Sequence, residues 1–357
     1  MLYYSQETAR GYHVSRQVSR NSSLQGMRLK KRLRNINNDM KNKIPCPPFV
    51  QQDLFASPYI KYNRAIRLLT KLKPLEAEKT LAEFERIQRP GRKLSLEYNI
   101  IAFLKDTISL LHGKENARLA LKQWDDRIEQ QWRTDCNHKE FLSHLRKSYF
   151  RRISLELLPD GGPKPAREKI FLDGTALLIM IRGGFWQEVA LLAPKIADLS
   201  DSPGRIYGYL GDALFCMQQN AAARHAYMAA LFLDAEDVDA INLIDSKVKE
   251  LLSDPGTFAA EEDIPAGEWT DDRQWAAALG MLVGVFELEA EADTVKAAGW
   301  MDVLRSKDTH PGHAFAAGML LSSMGMKRLE IMGTDISSVR RRMKEISPEL
   351  FEVFMRG

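Results

Sequence analysis

Apolar residues recur at three- and four-residue steps from Tyr59 to Phe354, in blocks separated by proline, glycine and asparagine. That spacing places them on one face of an α-helix. The blocks lack the strict alternation and the β-branched enrichment of strands. Blocks of about 12–20 residues joined by short turns pack as antiparallel neighbours, so the pattern predicts an all-α chain of stacked helix pairs, a solenoid or a bundle.

The punctuation sets the register. Ser57-Pro58 suits a helix start, with Ser57 as cap and Pro58 in the first turn, and Tyr59, Tyr62, Ile66 and Leu69 follow on one face until Pro74. Further helices run through Leu81–Ile87, Tyr98–Leu111 and Phe141–Ile153. The most regular stripe is Ala117, Leu121, Trp124, Ile128 and Trp132, and Trp124, Trp132 and Tyr149 read as core. The Pro159–Pro165 stretch is the best internal boundary, or else a longer turn. Beyond it, Phe171–Ile181 and Trp186–Leu199 form a pair turned by Gly183-Gly184, and Ser202-Pro203 opens the next. Between Thr257 and Asp293 there are ten acids and one base, Arg273, which reads first as an acidic loop and then as a helix through Trp275, Leu279, Leu282 and Phe286. Helices over Thr294–Leu304, His313–Met324 and Ser337–Phe354, the last interrupted at Ser347-Pro348, complete the chain. The expected regions are 1–57, 58–158, 164–255 and 256–357.

Charge is divided unevenly. Residues 1–74 hold 15 Lys or Arg against three acids, while the rest holds 36 basic and 44 acidic residues, a net of −8. Such asymmetry marks residues 1–57 as a flexible basic arm, with Pro45, Pro47 and Pro48 excluding helix there. Within it, Arg28, Lys30, Lys31, Arg32 and Arg34 are candidate anion-binding residues, for nucleic-acid phosphates or another anionic surface. No aromatic residue interleaves them, which argues against base-specific reading of a single strand. No apolar run approaches the roughly 20 residues of a membrane span. The first 25 residues lack the apolar block of a signal peptide. Three cysteines without short spacing, Cys46, Cys136 and Cys216, give neither a disulfide framework nor a thiolate metal site. A cytoplasmic setting is expected. The alternative is an organelle, because residues 1–23 have the Arg- and Ser-rich composition of a transit peptide; a start at Met27 or Met40 would leave the preceding residues as an extension.

One segment, 204–235, carries a resemblance. Tyr207-x-x-Leu210-Gly211-x-x-Leu214 followed by Ala223-x-x-x-Tyr227-x-x-Ala230 is similar to a tetratricopeptide repeat, in which small residues sit where two helices cross and large ones fill the layer between neighbours. Tyr207, Leu214 and Ala235 depart from the tryptophan, tyrosine and proline that the family often has there. The resemblance implies a surface on the first helix that binds segments of other proteins, with Arg205, Asp212 and Phe215 as the partner-binding residues. The Lys and Asn that hold a terminal carboxylate in some members are not reproduced at Gly208 and Asp212. Ala240–Leu252 would be the next first helix, or a cap.

Catalytic chemistry is weaker. Asp308-Thr-His310-Pro-Gly-His313 offers two imidazoles without a third or fourth ligand, so no metal or cofactor is expected. Cys136-Asn-His138, with His144 beyond, joins a thiol and an imidazole only through sequence adjacency. Asp160-Gly-Gly-Pro163 and Arg182-Gly-Gly-Phe185 lack the ending of a phosphate loop. Arg340-Arg341-Arg342 with Lys344 reads as a solvated helix face. The leading expectation is therefore a non-enzymatic scaffold or adaptor that binds a protein partner; the alternative is a nucleic-acid-associated protein acting through the arm.

Overall fold

The computed structural model describes residues 57–87, 94–135, 137–158, 173–261, 264–267, 269–288, 294–324, 329–330 and 333–356. The expected arm, residues 1–57, lies outside them except for its last residue. Among the described residues the fold is all-α, with no strand. No helix there is long and apolar enough to cross a membrane. The chain divides into two compact units: one takes in described residues up to Lys105 with Asp126–Ser143, the other Asp106–Asp125 with His144 onward.

In the first unit, α1 (Ser57–Thr70) and α2 (Pro74–Ile87) form an antiparallel pair, and α3 (Ser95–Thr107) follows. Alpha-helical termini leave carbonyls unpaired, and α1 pairs its own by turning left-handed at Leu72, φ 58°. The Leu72 and Lys73 amides then donate to the carbonyls of Leu69 and Leu68, each at 2.9 Å. Pro74, which lacks an amide to donate, starts the next helix. Tyr62, Leu69, Leu81, Phe84, Phe103 and Leu104 are buried, and the Tyr62 hydroxyl donates to buried Glu97 at 2.6 Å.

A short α4 (Ala117–Trp124) runs into a π turn over Asp125–Glu129 and then α5 (Gln130–Thr134). The widened turn shifts the register, and this corrects the expected aromatic stripe. Trp124 and Tyr149 are fully buried, 5.1 Å between ring centroids. Trp132 falls outside the stripe, half-buried, its indole donating to Ser143 Oγ at 3.0 Å. α6 (Lys139–Leu157) follows.

The second unit continues with α7 (Gly174–Gly183), α8 (Trp186–Ala197), α9 (Pro203–Cys216) and α10 (Asn220–Asp234). α9 packs on α10, α8 and α7. A Cβ on Gly211 would lie 2.4 Å from the Tyr227 ring, so only glycine lets α9 and α10 approach this closely. The expected boundary at Pro159–Pro165 does not separate compact units: Ser154 of α6 hydrogen-bonds the Ile179 carbonyl of α7 at 3.3 Å. Ala240–Leu252 is not a helix throughout. Residues 235–245 are non-helical, and α11 (Ser246–Ser253) starts only where Asp245 caps the Lys247 amide at 2.9 Å.

The start of the acidic stretch is also corrected: Pro255–Glu261 is a helix, α12, opened by Asp254 accepting from the Thr257 amide at 2.9 Å. α13 (Ala276–Leu282) stops short of Phe286 because Gly284, φ 71°, reverses the chain. α14 (Thr294–Arg305), α15 (Pro311–Ser323), α16 (Ile336–Ile346) and α17 (Pro348–Arg356) complete the unit. α15 is buried without interruption from Ala314 to Leu321, with α13, α14 and α16 around it.

Candidate binding surface

α9 begins at Pro203 and places Arg205, Tyr209, Asp212 and Phe215 along one side. The sequence reading assigns Arg205, Asp212 and Phe215 to a face left open for a partner. The structure corrects this at Asp212, which is 1% exposed. Its Oδ1 accepts from the Tyr227 hydroxyl at 2.6 Å and from the Ile244 amide at 2.9 Å. Burial pushes its carboxyl up to about 7, against the pull of those two hydrogen bonds. The Tyr227 phenol is pushed far up by burial and by Asp212. Beside them the Cys216 thiol is pushed up to about 11 by burial and by Asp212, which makes it a poor nucleophile at neutral pH.

The cover over α9 is the 235–245 segment. Arg205 is exposed but engaged, its amide donating to Asp237 Oδ2 at 3.1 Å and its guanidinium pairing with Oδ1 at 2.9 Å. Tyr209 donates to Asp239 Oδ2 at 3.2 Å. Asp239 also accepts from Asn242, and Asn242 accepts from Arg182 Nη2 at 3.0 Å. Arg182, whose side chain is 2% exposed, meets Asp125 at 2.6 Å through Nη1 and lies over the Phe150 ring. Val238 and Leu243 are buried, whereas Ile241 (64%) and Ile244 (40%) project outward. Phe215 is half-buried. Sequence reasoning missed Arg182, Tyr209 and Asp239, because the covering segment has no period that would announce where it packs.

The histidine candidates are placed clearly. His310 caps α15: its Nδ1 accepts from the Gly312 amide at 3.1 Å and its Nε2 lies 2.9 Å from Asp272 Oδ2. Both nitrogens are engaged, so the ring has no lone pair directed to a metal. His313 is held below its usual range chiefly by burial and then by His310, against the pull of Asp234 and Asp272. Its Nε2 is buried without a hydrogen-bond partner, and no group of three potential metal ligands occurs among the described residues. His138 pairs with Asp135 at 2.9 Å; Cys136 and the Arg28, Lys30, Lys31, Arg32 and Arg34 cluster lie outside the described residues. In the C-terminal arginine run, Arg342 pairs with Glu345 at 3.4 Å. A cavity of about 100 Å³ at the start of α10, lined by Asn220, Arg224, His225, Met228, Phe286 and Glu287, is smaller than the roughly 300–1,000 Å³ of small-molecule sites. Compared with known proteins, the chain matches no family model, no curated protein and no solved structure.

Proposed function

We propose that the chain is a non-enzymatic interaction scaffold that holds a segment of another protein against the α9 side of its helix pairs. The α9–α10 pair carries this reading. Gly211 rests on Tyr227, and the small residues Ala223 and Ala230 are fully buried at the spacing that resembles a tetratricopeptide repeat. With Asp212 withdrawn into the core, the partner surface is Arg205 and Phe215 together with Ile244, anchored over α9 through Asp212, and Ile241 beside it. Two outward-facing isoleucines on a hydrogen-bonded segment suit an apolar stretch of a partner chain.

The test is photocrosslinking of the full chain in its own cells, from a reactive residue placed at Ile244. Protein adducts are expected, and Ile241→Asp combined with Ile244→Asp should abolish them when the reactive residue is moved to Phe215. Leu199→Asp, at a residue outside this surface that is 68% exposed, should leave them intact. Adducts that survive the paired substitution would refute this surface.

A further inference from the structure

The Arg182-Gly-Gly-Phe185 turn, unsuitable as a phosphate loop, builds a different feature. A Cβ on Gly183 would lie 2.7 Å from Ser154 Oγ and 3.0 Å from the Arg151 amide nitrogen, so the end of α7 rests directly on α6. Gly184, φ 80°, then reverses the chain beneath Lys147, whose Cε would be 3.0 Å from a Cβ there. This places two aromatic rings under two cations. The Lys147 ammonium sits 5.7 Å from the centre of the Trp186 ring, and the Arg151 guanidinium 5.4 Å from that of Phe185. Both cations are exposed, one helical turn apart on α6, and Trp186 is half-exposed. Neither cation has an ion-pair or hydrogen-bond partner among the described residues. Their neighbour Arg152 pairs with Glu156 at 3.4 Å, so α6 has a carboxylate that these two do not use.

We propose that Lys147, Arg151 and Trp186 form a binding surface for a single-stranded nucleic acid. The rings hold the two charges in place while leaving their N–H groups toward solvent, and the planar guanidinium suits two phosphate oxygens at once. A part-exposed indole beside the cations offers a base a face to stack on, which a run of carboxylate side chains has no ring to use. The patch is basic although residues 75–357 hold 36 basic and 44 acidic residues, so it attracts a polyanion locally while the rest repels it.

The probe is a fluorescently labelled oligouridylate, titrated by anisotropy with the full chain near physiological salt. Lys147→Gln with Arg151→Gln should weaken binding about tenfold and reduce the slope of log affinity against log salt by about 1.4, two phosphate contacts at about 0.7 each. Both residues are exposed, so the melting temperature of the variant should match that of the parent. The same loss should appear in a chain whose Arg28, Lys30, Lys31, Arg32 and Arg34 are alanine, which separates this surface from the N-terminal cluster. Affinity unchanged within twofold in the paired variant overturns the proposal, and so does polyglutamate competing as well as the oligonucleotide at equal charge.

Discussion

At Asp212 the chain encloses a carboxyl between α9, Tyr227 and the amide of Ile244. Unfolded, the group titrates near its ordinary 3.8; folded, it titrates near 7. Between those values the folded state holds a proton that the unfolded state has released. The group therefore favours folding fully below about 3.8, and that contribution is lost as pH rises through about 7. Asp212→Asn keeps an oxygen for Tyr227 and Ile244 and removes the titration. Thermal melts across this window should show the variant gaining on the parent as pH rises. Parallel curves would mean that burial does not govern this carboxyl. The sequence shows Arg205, Asp212 and Phe215 on one helix face, which is correct. That Asp212 is covered could not be read from α9, because the cover comes from residues 235–245, whose pairing is set by tertiary hydrogen bonds and not by periodicity.

Helix ends show the same division between what is legible and what is not. Gly184 and Gly284 both close helices at positive φ, and glycine announces such positions because it lacks the Cβ that left-handed backbone crowds. Leu72 and Gln218 close α1 and α9 in the same conformation, φ 58° and 61°, and nothing in their chemistry announces it. After Gln218 the Gln219 amide bonds back to the Leu214 carbonyl at 3.0 Å, so the turn is held by the backbone despite its residue. A left-handed L-residue costs about 1–2 kcal/mol. Glycine removes that cost and returns about 0.4–1 kcal/mol through the freer unfolded chain. Gln218→Gly should therefore stabilise by about 0.5–1 kcal/mol, because exposed Gln218 has little packing to lose. Urea unfolding measures it; a lower midpoint would refute the strain. The π turn at Asp125–Glu129 is a second case, since one widened turn moved Trp132 off a stripe that looked continuous in sequence.

Across the second unit, packing runs through helices adjacent in the chain from α7 to α10, and then gathers around α15. The helical periodicity showed which segments fold; the order in which they gather was not visible. α15 carries few polar residues, so its sequence shows that it is buried without indicating which neighbours cover it. Gly318 marks one of them: a Cβ there would lie 2.4 Å from Met343 of α16. A helix with no outward side has no local route to water. In deuterium oxide, the amide hydrogens from Ala314 to Leu321 should be the last in this unit to be replaced, at a rate set by opening of the whole unit. Those of α17, where Leu350 is the buried residue, should go early. Mass spectrometry of peptic fragments reads both. If the α15 fragment takes up deuterium as early as α17, its neighbours leave without it, and the centre of the unit lies elsewhere. If it is last, the slowest clock in this unit is set by eight consecutive residues that all turn away from solvent.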